Sequence, residues 1–299
     1  MLDISTIKKN AIANLKGRWS IALVATFASG AINFLLTSIE KLLPENGGIK
    51  FLFKIFQFVC TAVLSYSICK VCLDLTNKSE PLTFADYTES FADWFKAIKI
   101  KLWTLLWTTL WCLLITIPAT FIFLLSSGMA LLKNFDMNTM DFKEGFNLAN
   151  SDEFFKDFFT QYIGLAILLI VIIVLILVIF TYKHLQYGQM KFIVQENKNI
   201  SVRKSMRVSI EYMKGHKGEL FGLIFSFIGW IIICCSPAFL KKPLENILDP
   251  KVVNLITSLL SIIFFAFLNP YIVTAKANFY KEVRDAALAS GKVKPEDLQ

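Results

Sequence analysis

The sequence predicts an all-α fold, a polytopic transmembrane helical bundle of six spans, and three observations lead there. Six stretches carry no charged side chain: Trp19–Ile39, Ile55–Cys69, Leu102–Leu132, Phe158–Tyr182, Leu220–Leu240 and Val252–Ala275. About 20 apolar residues at ~1.5 Å rise cross the ~30 Å hydrocarbon layer, and lipid obliges each backbone to satisfy its own hydrogen bonds as a helix. The composition agrees: 55% of residues are hydrophobic and 28 are Phe, more apolar surface than a water-soluble fold could hide. The segments between the stretches repeat apolar residues at helical spacing among lysines, which predicts amphipathic helices at the membrane surface before spans 1, 3 and 5. No extramembrane stretch is long enough to fold alone, so residues 1–299 read as a single integral membrane domain. The first apolar run is too long for a signal peptide and lacks its cleavage pattern, so it is expected to be retained.

The elements follow in chain order. Residues 3–16 form the first surface helix, with Ile4, Ile7, Ala11 and Leu15 on its apolar side and Gly17 as its stop. Span 1, 19–39, places Ala22, Thr26 and Gly30 four apart with Asn33 near the same face, a spacing that lets helix backbones approach. Span 2, 51–69, has an unbroken uncharged run of only 15 residues, Ile55–Cys69, so Lys50, Lys54 and Lys70 must snorkel. Should it fall short, five spans remain and the N-terminus changes sides.

The second surface helix, 83–100, opens on a Thr83–Asp86 capping-box pattern and carries Phe84, Tyr87, Phe91, Trp94, Phe95 and Ile98. Span 3, 102–125, lies in an uncharged run of roughly 46 Å at helical rise. Pro118 predicts a kink near Ile117 and an exit around Leu124–Ser127; a broken helix can also mark a substrate site. Trp103, Trp107 and Trp111 share one face of it, either as an interfacial belt with packing partners or as a wall for a lipid tail. Span 4, 158–182, is almost wholly Ile, Leu and Val, and is expected to face lipid. The third surface helix, 201–214, runs from a Ser201 N-cap to Gly215. Span 5, 220–240, offers Gly222, Ser226 and Gly229. Span 6, 252–275, offers Asn254, Ser258, Asn269 and Pro270. With Gly30, Asn33 and Pro118 these are the candidate helix-packing or path residues. Each surface helix with its following hairpin resembles the others, either as an internal repeat or as basic elbows before separate crossings.

Charge sets the orientation. With six crossings, 22 of the 31 basic residues fall on the face holding both termini, whereas the opposite loop Lys133–Asp157 is acidic through Asp136, Asp141, Glu144, Asp152, Glu153 and Asp157. Positive-inside bias then places both termini in the cytoplasm of a multi-pass cell-membrane protein. The net charge of +8 is read as membrane-facing, with no nucleic-acid partner. Lys8, Lys9, Lys16, Arg18, Arg203, Lys204 and Arg207, with the three tryptophans, are the candidate contacts to anionic lipid headgroups or to a membrane protein partner.

Chemical motifs are few. His184 and His216 are the only histidines, Cys69-Lys70-Val71-Cys72 is a lone CxxC at a membrane edge, and no phosphate-cradling glycine loop occurs. No catalytic, cofactor-binding or metal-ligating set is assigned. The six uncharged stretches place no Asp, Glu, His, Lys or Arg within the membrane, which argues against ion-coupled pumping. The expected function is that of a non-enzymatic membrane protein interacting with lipids or a partner in the cell envelope. The alternative is a transporter or export component that uses no titrating group in the membrane, with a path between spans 1, 5 and 6.

A family resemblance rests on Ile7-Lys8-Lys9 to Leu15-Lys16-Gly17-Arg18-Trp19, Tyr187-Gly-Gln-Met-Lys-Phe-Ile-Val, Ser201 to Met213, Lys214-Gly215-His216-Lys217, Phe227-Ile228-Gly229-Trp230, Leu268-Asn269-Pro270-Tyr271 and Asn278-Phe279-Tyr280. These resemble a bacterial integral membrane family known as domain of unknown function 975. The middle departs from it: Ile117-Pro118-Ala119 resembles the family's Ile-Pro-Gly, but roughly 60 residues then intervene before Tyr187. The resemblance implies a membrane protein and carries no activity with it.

Overall fold

The computed structural model describes residues 3–44, 47–78, 80, 82–134 and 163–298. The acidic loop, beyond Asn134, and the first residues of span 4 lie outside them. The described residues are all-α: α1 (Ile4–Leu15), α2 (Trp19–Leu42), α3 (Gly47–Asn77), α4 (Phe84–Glu89), a 3-10 turn (Ser90–Asp93), α5 (Trp94–Asn134), α6 (Ile163–Tyr187), α7 (Met190–Glu196), α8 (Val202–Tyr212), α9 (Lys217–Phe225), α10 (Ile228–Phe239), α11 (Lys241–Glu245), α12 (Pro250–Ala289) and a closing 3-10 turn (Pro295–Leu298). Among them five helices are long and apolar enough to cross a membrane, or six if α9 with α10–α11 counts as one bent span.

Local chemistry sets the helix ends. Asp3 caps α1 by accepting from the Ser5 and Thr6 amides (3.0 and 3.2 Å). The Thr83 amide donates to Asp86 (2.7 Å), as the capping-box pattern predicts, and Ser201 accepts from the Lys204 amide (3.3 Å). Gly17 and Gly215 adopt φ of +75° and +88°, the left-handed turn that ends a helix without a Cβ penalty.

The chain divides into two compact units, Met1–Thr104 with Leu185–Gln299, and Leu105–His184. In the second, apolar residues of α5 from Leu105 to Leu125 and of α6 from Ile167 to Phe180 are largely exposed, as lipid-facing side chains are.

The first unit turns on α12, which packs along α1, α2, α3 and α10. Its burial pattern inverts partway along. In the apolar stretches Val24, Leu35, Phe51, Phe264 and Phe267 point outward. Beyond them Ile7 and Ala11 of α1, Met190 and Ile193 of α7, Tyr212 and Met213 at the end of α8, and Ala277, Phe279 and Tyr280 of α12 are buried in one core. Apolar side chains are free to face hydrocarbon but cost about 25 cal/mol per Å² facing water, so the inversion marks where lipid gives way to water. Asn14 donates to Asn278 (3.0 Å) in this water-side cap, which brings the N-terminal helix and the C-terminal part of α12 to the same end of the unit.

Five expectations change. The apolar faces of helices 3–16 and 201–214 lie in the protein core rather than on lipid, because α7 and the extension of α12 supply a partner that periodicity cannot reveal. Segment 83–100 is a short helix, a 3-10 turn and the start of α5; Tyr87 docks on Ser29 (3.1 Å between oxygens) and Phe91 stacks edge-on against Tyr87. Span 2 is not short: α3 has 31 residues, Lys54 reaches Glu40 (3.7 Å) and Lys70 reaches Glu89 (2.6 Å), so its flanking charges are paired. Span 5 breaks at Ser226–Phe227 with a 43° bend. There the Ser226 hydroxyl donates back to the Leu223 carbonyl (2.7 Å), and buried Phe227 stacks edge-on against Tyr271. Helix α5, by contrast, continues through Pro118 to Asn134, past the expected exit.

Candidate functional site

Helices α2, α3 and α12 do not close fully on one another. Between them lies a cavity of about 710 Å³. Its apolar wall is Leu64 and Ile68 of α3 with Ile262 and Phe265 of α12; its polar wall is Thr26, Ser29 and Asn33 of α2, Thr61 and Ser65 of α3, and Ser261 and Asn269 of α12. The hydroxyls are made tolerable in an apolar setting by bonding back along their own helices: Thr26 to Ala22 O (2.6 Å), Ser29 to Ala25 O (2.8 Å), Ser261 to Thr257 O (2.9 Å). Asn33 is different. Its amide donates to Ser29 O (2.9 Å), but its side-chain oxygen is buried without a partner among the described residues. A buried acceptor left unmade is costly, so this wall is built for a donor.

One cation lines the same space. Lys101, near the start of α5, is half-buried; its ammonium donates to the Thr61 hydroxyl (2.5 Å) and the Phe58 carbonyl (3.3 Å) and sits 4.2 Å from the centre of the Phe58 ring. Lys101 stands just before the uncharged run of span 3, so the absence of charge from the spans does not extend to the cavity they enclose. Thr61, Ser65 and Lys101 were not legible as site residues; the one available signal is the four-residue spacing of two hydroxyls in an otherwise apolar stretch.

The predicted packing residues divide. Gly30, Asn33 and Asn269 meet at the cavity, and a Cβ at Gly30 would lie 3.1 Å from Ile262, the close approach that the small-residue pattern implies. Ser258 is half-buried on α12, and Pro270 is buried, with its carbonyl 3.9 Å from Cys72 Sγ. Gly222 admits Ile4 of α1, not another span, and nothing lies within contact of a Cβ at Gly229. Asn254 is exposed and donates to Pro250 O in its own helix (2.8 Å), which removes it from any path; Ser226 marks the span 5 break and Pro118 lies in the second unit. Span 5 contributes no residue to the cavity lining, whereas span 2 does, because α3 rather than α9 packs into the space between α2 and α12.

The predicted lipid contacts divide too. Lys9, Lys16, Arg203 and Arg207 are exposed. Lys8 donates to Ser226 O (3.5 Å) and stands over the Phe227 ring, and Lys204 donates to Glu296 O (3.0 Å). Arg18 bonds the Leu75 carbonyl (3.0 Å) and the Lys78 carbonyl, closing the C-terminal end of α3 where the helix dipole favours a cation. Trp103 packs partly buried against the first unit's core; Trp107 and Trp111 are exposed in the second unit, where the Lys183 ammonium lies 3.7 Å from the Trp111 ring centre. His216 Nδ1 pairs with Glu219 (2.8 Å) and His184 stacks on Phe180. Among the described residues no three potential metal ligands converge.

No curated protein and no solved structure matches this chain. A family model described as "Protein of unknown function (DUF975)" matches residues 1–287. With nearly its whole length aligned to that pattern, and with apolar helices fit to cross a membrane, the chain belongs to the DUF975 family.

Proposed function

We propose that the protein is a non-enzymatic, multi-pass bacterial cell-membrane protein that holds a lipid or similar amphiphile in the groove between α2, α3 and α12. The observation that carries this reading is the cavity itself, about 710 Å³ within the range of small-molecule sites, with an apolar wall beside a polar one. An amphiphile has both kinds of surface. The unpaired Asn33 oxygen and the Lys101 ammonium mark its polar end, and an ionisable group lining an intramembrane space is a functional-site signal. Exposed Lys9, Lys16, Arg203 and Arg207 on the water-side cap support contact with anionic headgroups or an acidic membrane partner. The cap gathers the basic N-terminal arm and the basic tail on one face, which supports a cytoplasmic position for both termini.

The test is native mass spectrometry of protein extracted in mild detergent, comparing the intact chain with Ser261→Phe, a substitution that fills the cavity. A lipid adduct retained by the first and lost by the second supports the reading. Equal retention, or none by either, overturns it.

A further inference from the structure

The polar wall of the cavity spends its hydrogens on its own helices. As with Thr26, Ser29 and Ser261, the Thr61 and Ser65 hydroxyls donate to carbonyls of their own helix, those of Phe58 and Ala62 (2.9 and 3.0 Å). A hydroxyl has a single hydrogen, so these oxygens offer only lone pairs to anything else. Three of them are met from within the protein: Lys101 donates to Thr61, Lys191 to Ser65 (3.1 Å), and the Tyr87 hydroxyl to Ser29 (3.1 Å), whose own hydrogen is already given to Ala25 O. Thr26 and Ser261 receive no donor among the described residues, and neither does the buried Asn33 oxygen. The orientation of the Asn33 amide is fixed, because the Ser29 carbonyl that it meets (2.9 Å) can only accept.

Two of these open acceptors and the cation of the lining stand at nearly one depth. Arg18 at the start of α2 meets the end of α3 at Leu75 O, and Lys281 of α12 meets it at Thr76 O (3.0 Å), so α2 runs antiparallel to both other walls. Across α2 and α3 the Gln57 amide meets the Thr37 hydroxyl (3.4 Å). One turn nearer the water-side cap on each helix brings Asn33 level with Thr61, where the Lys101 ammonium sits. Across α2 and α12, Gly30 stands against Ile262. From that contact Asn33 is three residues away from the cap and Ser261 one, so their depths differ by roughly 3 Å at helical rise. One ammonium and two empty acceptors, carried by three helices, thus share one level of one cavity.

We infer that the cavity selects a membrane lipid whose headgroup donates hydrogen bonds through hydroxyls, a glycerol or sugar head, over one such as choline that has no donor. The inference rests on the lipid-holding reading and names the headgroup of that lipid. Hydroxyls given to Asn33 and Ser261 fill acceptors that otherwise stay desolvated and unmade. An ammonium head also donates, but Lys101 repels it, and among the described residues no carboxylate lines the cavity to offset that charge. Of the three Lys101 hydrogens, two go to Thr61 and Phe58 O, which leaves one for an oxygen of the same head.

The test uses the full chain in phosphatidylcholine nanodiscs and compares two added lipids of equal charge, phosphatidylglycerol with its head hydroxyls and phosphatidylethanol with none. Equal charge removes the exposed lysines and arginines from the comparison. The lipid Kd and the thermal midpoint are read for the unaltered chain, for Asn33→Leu, Ser261→Ala and the cavity-filling Ser261→Phe, and for Ser258→Ala, a control on α12 outside the lining. The unaltered chain binds phosphatidylglycerol about ten-fold more tightly, the net worth of two neutral hydrogen bonds. Asn33→Leu and Ser261→Ala each cut that ratio to about three-fold, and Ser258→Ala leaves it unchanged. The ligand-free midpoint of Asn33→Leu does not fall, because an unmade buried acceptor is removed; a lowered midpoint with an unchanged ratio would make Asn33 structural and end the inference. A ratio near one in the unaltered chain, with both lipids lost in Ser261→Phe, leaves the lipid reading standing and overturns the headgroup selection. A ten-fold ratio that survives both Asn33→Leu and Ser261→Ala overturns it as well. Binding of both lipids untouched by Ser261→Phe overturns the lipid reading and the selection together. Glycerol 1-phosphate, titrated into uncharged detergent, is the water-soluble source of the same hydroxyls: stabilisation as strong as by phosphatidylglycerol, and lost in Asn33→Leu, overturns a lipid as the occupant.

Discussion

Replacing Ile7 by Ala separates a helix packed in a protein core from one resting on lipid. Ile7 is completely buried in the water-side cap, whereas Ile12 on the same helix is 50% exposed. Ile7→Ala removes three carbon groups, roughly 2.4 kcal/mol of transfer free energy at ~0.8 per group. The space left behind lies where α1 packs against α12, α3 and α9 and relaxes incompletely, bringing the expected loss to about 3–4 kcal/mol. Ile12→Ala exposes no cavity and loses about half the transfer free energy, roughly 1 kcal/mol. Reversible denaturant unfolding in detergent micelles, followed by circular dichroism, measures both. The order Ile7 far above Ile12 is expected, with little change in affinity for anionic vesicles in either variant. Equal destabilisation, or a loss of vesicle affinity confined to Ile7→Ala, would place the apolar face of α1 on the bilayer and refute the buried-core argument.

Three further outcomes are expected. Arg18→Met leaves the last carbonyls of α3 without their cation and lowers stability by about 1 kcal/mol, and Arg18→Lys recovers only part, since one ammonium cannot reach both carbonyls; the same unfolding assay checks this. Glu196→Gln weakens the bonds from Arg284 and from the Tyr280 hydroxyl (2.5 Å) and costs about 2 kcal/mol, measured with Arg284→Met in a double-mutant cycle whose coupling is expected to be positive. The Tyr212 hydroxyl is buried without a partner among the described residues, so Tyr212→Phe is neutral or stabilising near pH 7. Burial, reinforced by the negative charge of Glu196, pushes this phenol from its ordinary 10.0 up to about 12. A folded-state value above the unfolded one means the contribution is fully present below pH 10 and is lost as pH rises toward about 12. Stability measured across that window falls less steeply in Tyr212→Phe, and parallel curves would contradict the burial argument.

The membrane character, the helical fold and several caps were legible because each depends on short-range rules. Uncharged length set the spans, Thr83 with Asp86 and Ser201 set two helix starts, and Gly17 and Gly215 set two ends. Gly30 was legible as a close-approach residue for the same reason, since spacing by four puts small side chains on one face. Span 2 was underestimated because charge-free length cannot register the pairing of Lys54 with Glu40 and Lys70 with Glu89. Asn254 was misread because a polar side chain within a span looks the same in sequence whether it faces a neighbour or bonds its own helix.

What the amino-acid order determined alone is the solvent: runs of apolar residues without charge can only be stable as helices in lipid, and the basic segments between them only in water. What tertiary structure decided is which apolar faces meet protein instead of lipid, and which buried acceptors find a donor. Both are properties of residues distant in the chain. Ile7 meets the extension of α12 and Lys191 meets Ser65 across more than a hundred residues, separations at which periodicity carries no information and packing alone chooses the partner.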